Sequence, residues 1–271
     1  MSNYIKVGFL SVFFVVTIGF FGHWLGGRQG ALFAVIIAFS LIYVIFTVGN
    51  TMAFSIFTSR RLEGQDPWGL GDTLNKMVFR AKVHMPKIFV MESAFPTIFS
   101  SGMNKNEFAI FVTTGLVKTL TPQETEAVIA QQLAFLKRKD ILPAMISAVL
   151  ATAFLSLTEN YSTIKKSPLI NRIVFAIFAP LALLLVRLNV GRKNYLSADS
   201  LACQWLDNPI HLAYALIKLD SYAKTQPPEV PFSLGHLFIV NPLTIGNWGR
   251  YFGVQPPIHR RIHRLVGYYP I

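Results

Sequence analysis

Thr121-Pro122-Gln123-Glu124-Thr125-Glu126-Ala127-Val128-Ile129-Ala130-Gln131-Gln132-Leu133-Ala134-Phe135-Leu136-Lys137-Arg138-Lys139-Asp140 is the stretch on which the reading of this chain turns. Thr121 and Glu124 stand three apart, as a capping box requires: the hydroxyl takes the backbone N–H of the acid and the acid reaches back. Pro122 falls on the first helical position, where its missing N–H costs nothing. The spacing predicts a helix from Pro122 to about Asp140 that continues toward an apolar run.

That apolar run, Ile141 to Thr158, contains Pro143 and ends at Glu159. Val7 to Leu25 and Ala31 to Thr58 carry no charged residue at all. Pro168 to Val186 is apolar apart from Arg172 and is interrupted by Pro180. A helix needs roughly 18 to 20 apolar residues to cross about 30 Å of hydrocarbon, so about four membrane spans are expected. For the fourth run a buried or re-entrant hairpin is the competing reading. The first run has a basic flank at Lys6 but no small-x-small cleavage site, and it reads as an uncleaved signal anchor.

Composition agrees. Of 271 residues, 52% are hydrophobic and only 14% charged, where soluble domains carry about a quarter charged residues. The same figures exclude a disordered chain. A single cysteine, Cys203, excludes an internal disulfide framework and a Cys-based zinc ribbon. The excess of 25 Lys+Arg over 13 Asp+Glu lies mostly beside the spans and on the tail. Attraction to anionic headgroups accounts for it, and nucleic acid is not an expected partner. Lys6, Arg60, Arg61, Lys137, Arg138, Lys139, Arg187, Arg192 and Lys193 share one side, which the positive-inside rule makes cytoplasmic. Both termini then lie inside, in a bacterial-type inner membrane.

The resulting organisation is a mainly α integral membrane protein. Residues 1–58 hold two N-terminal spans, 59–140 the first half of a cytoplasmic α+β domain, 141–187 a transmembrane hairpin, and 188–271 the second half with a basic tail. Helices are predicted near Gly71–Val83, Asn194–Asp207, Pro209–Tyr222 and Pro256–Leu265, with strands at Lys87–Met91 and Glu107–Thr113. Thr97-Ile98-Phe99-Ser100-Ser101-Gly102 reads as a third strand or a sheet edge, and Gln226 to Pro231 as a loop.

Several pieces, taken in order, resemble the HtpX-like membrane zinc metallopeptidases, relatives of the CAAX prenyl proteases. They are Thr113-Thr114-Gly115-Leu116, the helix quoted above, Ser197-Ala198-Asp199, His236-Leu237-Phe238-Ile239-Val240-Asn241-Pro242-Leu243 and Gln255-Pro256-Pro257-Ile258-His259-Arg260-Arg261-Ile262. The resemblance implies a gluzincin-like domain with a small sheet, in which an H-E-x-x-H helix holds zinc and its glutamate activates water. It also implies that Thr97 to Gly102 holds substrate backbone by strand addition.

At the matching positions stand Gln131, Gln132 and Phe135, and counting back four from Asp199 places Tyr195 where the third ligand belongs. A register one residue earlier gives Asn194, and the histidine of the family's ending is replaced by Gln255. Phenylalanine has no lone pair, glutamine offers a weak carbonyl, and a phenol ionises only near pH 10. An amide cannot serve as general base at neutral pH. From these replacements zinc is not expected. The expected function is an inactive membrane pseudopeptidase, a scaffold, adaptor or regulatory subunit bound to lipids and to another membrane protein or complex, or to itself. The alternatives are relocated or residual metal-dependent hydrolysis, using groups such as Asp199, His236, His259 or Tyr195, and a lipid-binding or transport role marked by Arg172. His259 and His263 have ligand-compatible spacing, but on a basic tail helix they read as a solvated or lipid-facing surface. Cys203 reads as a buried small hydrophobe.

Overall fold

In the computed structural model the capping box closes as the sequence requires: Glu124 N–H donates to Thr121 Oγ1 at 3.3 Å and Thr121 N–H donates to Glu124 Oε2 at 2.8 Å. The structure describes scattered positions between 8 and 43, including 26–40, and then 59–64, 66–102, 107–141, 144, 191–226, 235, 237–241 and 255–267. In chain order the elements are β1 (Ser59–Arg61), α1 (Leu70–Ala81), β2 (Lys87–Met91), β3 (Ile98–Ser101), β4 (Ala109–Thr113), α2 (Thr114–Thr119), α3 (Pro122–Arg138), α4 (Arg192–Cys203), α5 (Ile210–Thr225) and α6 (Ile258–Val266).

The sheet has the order β1-β2-β4-β3. β2 and β4 are parallel, in the register Lys87↔Ala109 to Met91↔Thr113, and the outer pairs are antiparallel. Because side chains alternate along a strand, β4 serves two cores. Ile110 and Val112 face the helices, while Ala109 and Phe111 face a second cluster with Met91, Phe99 and Phe238. Phe111 stacks between Phe89 at 5.2 Å and Phe99 at 4.8 Å.

The helix α3 is the axle of the domain. α1, α4, α5 and β3 all pack on it, and Ala127, Ala130 and Ala134 meet the small Ala198 and Ala202 of α4 in one core. Leu133, Leu212 and Leu216 are fully buried there, each worth about 1.5–3 kcal/mol on removal from water. The motif Thr113-Thr114-Gly115-Leu116 earns its residues from geometry. Thr113 Oγ1 caps α2 by accepting from Leu116 N–H, Thr114 Oγ1 donates to Ser93 O, and a Cβ on Gly115 would collide with the Ala94 carbonyl.

Polar ties join the two sequence halves. Lys218 reaches Glu124 at 2.8 Å, and Lys137 donates to Ala81 O with its ammonium 5.3 Å from the Trp205 ring. Arg80 donates to Trp205 O and to Asp207, whose carboxyl it holds below the usual range by that hydrogen bond and its charge.

Three expectations change. Arg60 and Arg61, read only as a basic span flank, form β1 against Phe89 and Val90. The six-residue α2 was not predicted, its signal being the hydroxyl cap at Thr113. The tail is not uniformly solvated: His259, Arg260, His263 and Arg264 are exposed, but Arg261 is fully buried. Among the described residues no helix is long and apolar enough to cross a membrane. The spans expected at 141–158 and 168–186 lie, apart from Ile141 and Ala144, outside the described residues, as do large parts of those at 7–25 and 31–58. Most of the loop at 226–231, His236 and Arg172 also lie outside them. Where the first segment is described, Phe20, Trp24, Leu32, Phe33, Ile36 and Phe39 are each at least 60% exposed.

Candidate functional site

The described domain is most polar in its interior where α3, α4, β3 and α6 converge. α3 supplies Gln131 and Gln132, both buried, together with Phe135 one turn on. α4 supplies Tyr195 and Asp199, four apart and therefore on one face. Ser100 comes from β3 and Arg261 from the inner side of α6.

These groups form one directional chain. Ser100 Oγ donates to Gln132 Oε1 at 2.6 Å, Gln132 Nε2 to Gln131 Oε1 at 2.8 Å, and Gln131 Nε2 to Asp199 Oδ1 at 3.3 Å. From the other side Arg261 grips Asp199 with both Nε and Nη2 at 2.8 Å, and its Nη1 donates to Ile239 O at 2.7 Å. Every donor on the α3 side points toward the carboxylate, so the dipoles reinforce one another. A buried carboxylate is tolerated because a fork-shaped cation satisfies both oxygens.

Beside this chain, the Phe135 and Tyr195 rings meet edge to face at 5.2 Å, and the Arg261 guanidinium lies 5.8 Å from the Tyr195 ring. Gln255 Nε2 donates to Phe238 O at 2.6 Å and to Tyr195 Oη at 3.4 Å, and its Oε1 accepts from Asn241 N–H at 2.9 Å. Burial pushes the Tyr195 phenol above its ordinary range, against the opposing pull of Gln255 and Arg261. It is held as the neutral phenol.

Catalytic zinc takes neutral histidine, thiolate or carboxylate ligands and keeps one open position. The residues present do not fit that ion. Gln131 and Gln132 use both ends of their amides on protein partners. Phe135 brings no donor atom, Tyr195 keeps its proton, and Asp199 is neutralised by Arg261. Among the described residues no group of three or more His, Cys, Asp or Glu is placed to hold a metal ion. No step is therefore routed through zinc at these positions.

The expected peptide-pairing strand, Thr97 to Gly102, lies at the end of the strand order as β3 and its flanks. Thr97 exchanges two hydrogen bonds with Thr113 Oγ1, and Gly102 has φ of +123 beside the Glu107 carbonyl, where a Cβ would not fit. His259 and His263 lie on the exposed face of α6. Cys203 is half-buried at the end of α4, and burial pushes its thiol up to about 11. At pH 8 only about a thousandth of it is thiolate, and the thiolate is the nucleophile. Iodoacetamide labelling followed by mass spectrometry is expected to run far slower than for an unfolded control, and equal rates would contradict this burial.

Sequence reasoning missed Arg261 and the role of Gln255. The signal for Arg261 was present: Ile258, Arg261, Ile262 and Leu265 share one helical face at i, i+3, i+4 and i+7, which puts an arginine on the apolar stripe. Gln255 had no such signal, because its partners lie on segments remote in sequence.

The model for "Peptidase family M48" matches residues 67–268. "Protease HtpX homolog" of Pelotomaculum thermopropionicum is 30% identical over 275 residues, covering 97% of this chain and 98% of that protein. The protein of the same description from Desulforapulum autotrophicum is 30% identical, covering 98% and 90%. Among solved structures, Ste24p of S. mikatae is similar in fold, with a TM-score of 0.54 at 15% identity, covering 97% of this chain. This chain spans 64% of that one.

These matches correct the expected function. The family is a peptidase family and the similar proteins are described as proteases, so the expectation of an inactive pseudopeptidase, a non-enzyme acting as scaffold, adaptor or regulatory subunit, is overturned. The expectation that no zinc is involved falls with it at the level of the family, which is one of zinc peptidases by the resemblance described above. The error lay in extending the chemistry of Gln131, Gln132, Phe135 and Tyr195 to the activity of the whole chain, when the likeness covers almost its full length.

Proposed function

Because the chain belongs to peptidase family M48, we propose that it is a membrane-associated protease whose folded domain works on polypeptide at the bilayer surface. The observation that carries this reading is the family match across residues 67–268, which includes both halves of the domain and every element that meets at α3. The apolar side chains exposed at Phe20, Trp24, Leu32 and Phe33 support the membrane location, since surfaces of this kind are buried in lipid or in a partner. Four spans, with both termini and the domain in the cytoplasm, are the arrangement that the distribution of basic residues favours. Lipid headgroups are the natural counterpart of the exposed basic face of α6.

Polypeptide in extended form suits a sheet with a terminal strand beside the polar chain of Ser100, Gln132, Gln131 and Asp199. Hydrolysis is not assigned to Gln131, Gln132, Phe135 or Tyr195. The test is cleavage of fluorescent casein by the full chain in mild detergent, with and without a chelator and added zinc. Cleavage that coelutes with the protein and disappears at its own thermal transition is the expected result. A folded preparation that leaves casein intact under every metal condition overturns the reading.

A further inference from the structure

A terminal strand offers backbone N–H and C=O groups to any extended chain that reaches it. In this molecule the chain itself reaches β3 first. Phe238 bridges Phe99 in antiparallel fashion, and Ile239 N–H donates to Ile98 O at 3.2 Å. The Phe238 ring meets Phe99 edge to face at 5.4 Å. Phe238, Ile239, Val240 and Asn241 are all buried. The Ile98 carbonyl is the group that an added strand would use, because the neighbouring Thr97 carbonyl is turned inward to Thr113.

The segment is tied from its other side too. The Gln255 amide takes two of its backbone groups at once, donating to Phe238 O and accepting from Asn241 N–H. One side-chain amide thus does for the segment what a neighbouring peptide unit does in a sheet. Arg261 holds Ile239 O, but it is fully buried and committed to Asp199, so it belongs to the frame. Gln255 is half-buried, less covered than Arg261, and makes only neutral hydrogen bonds, so it is the tie that can open.

We propose that residues 237–241 form an internal strap, latched by Gln255, which occupies the polypeptide-pairing edge of β3 and must be released before a substrate can pair there. The proposal rests on the protease reading for the identity of what pairs, an extended polypeptide. A strap of the chain's own backbone competes with that polypeptide for the Ile98 carbonyl, so the resting state is closed and the strength of the latch sets how often it opens.

The test compares the full wild-type chain with Gln255→Ala in detergent, using two readouts that need no hydrolysis. The first is hydrogen exchange of peptides covering 98–101 and 237–241. The second is photo-crosslinking of a short apolar peptide carrying benzoylphenylalanine, with the adduct mapped by mass spectrometry. Losing the two neutral hydrogen bonds to the strap, together with the longer one to Tyr195, is expected to speed exchange at both segments by about tenfold, with α3 unchanged, and to raise crosslinking to 98–101 by a similar factor. Phe238→Leu, which loosens the ring contact and keeps the apolar volume, is the second variant and should act in the same direction. Unchanged exchange in both variants overturns the latch. Faster exchange without more crosslinking at 98–101 overturns the claim that the strap guards a polypeptide site. If the variants open and crosslink while casein stays intact, the strap stands and the protease reading fails. If casein is cut equally by wild type and variants, with no gain in crosslinking, the strap fails and the protease reading stands.

Discussion

Arg261→Met is expected to destabilise the folded domain by about 3–5 kcal/mol, the cost of leaving a buried charge without its partner. Asp199 is 2% exposed, and both of its oxygens face the guanidinium at 2.8 Å. Gln131 offers that carboxylate only one longer amide hydrogen bond, at 3.3 Å, which cannot replace a cation. The same substitution also orphans the Ile239 carbonyl. Thermal unfolding of the full chain in detergent, read by pulse labelling of Cys203, measures the loss. Replacing both partners, Arg261→Met with Asp199→Leu, should recover most of it, because a buried ion pair exchanged for apolar groups of similar volume is often close to neutral. A double variant as unstable as the single one would show that the pair does more than neutralise itself.

Phe111→Ala should cost a comparable amount, about 3–5 kcal/mol, from lost burial and the cavity left behind. Its ring is the middle of three, stacked on Phe89 and Phe99, and it is completely buried on the face of the sheet away from the helices. Among the described residues no helix contributes to the apolar cluster on that face, and Phe99 would lose the support that sets its contact with Phe238. Phe111→Leu should recover much of the difference by filling volume without the stack. The same labelling measurement decides between them. Equal stability of the alanine variant and wild type would mean that the aromatic face carries no weight in the fold.

Legibility followed the range of the forces involved. The start of α3 could be read because Thr121, Pro122 and Glu124 act on one another within a single turn. The strand Lys87–Met91 was bounded by Pro86 and by polar residues, and it appears with those limits. β4 begins two residues later than the run Glu107–Thr113 suggested, and α4 spans Arg192–Cys203 where Asn194–Asp207 was expected, the chain turning at Gln204 and Trp205. Placement of Gln131, Gln132, Phe135 and Tyr195 in one neighbourhood was accessible only through resemblance, since α3 and α4 are far apart in sequence. What no local pattern carried was the direction of the polar chain and the grip of Arg261, which depend on β3, α3, α4 and α6 arriving together. Residue identity at the family's ligand positions was legible. What it implied for the whole protein was not, because four side chains say less about descent than a match over nearly the whole length.

The split of the domain across the sequence sets the order of its birth. α3 ends at Arg138, so α4 begins 54 residues later and α6 120 residues later, a delay of seconds to tens of seconds at ordinary rates of synthesis. During that interval the newborn helix shows the flank that Ala198, Ala202 and Asp199 will later cover. Gln131 on that flank lowers its stickiness, since an amide hydrates where a leucine would aggregate. A polar group buried at the centre of the finished domain thus also makes the exposed flank of its unfinished half less apolar.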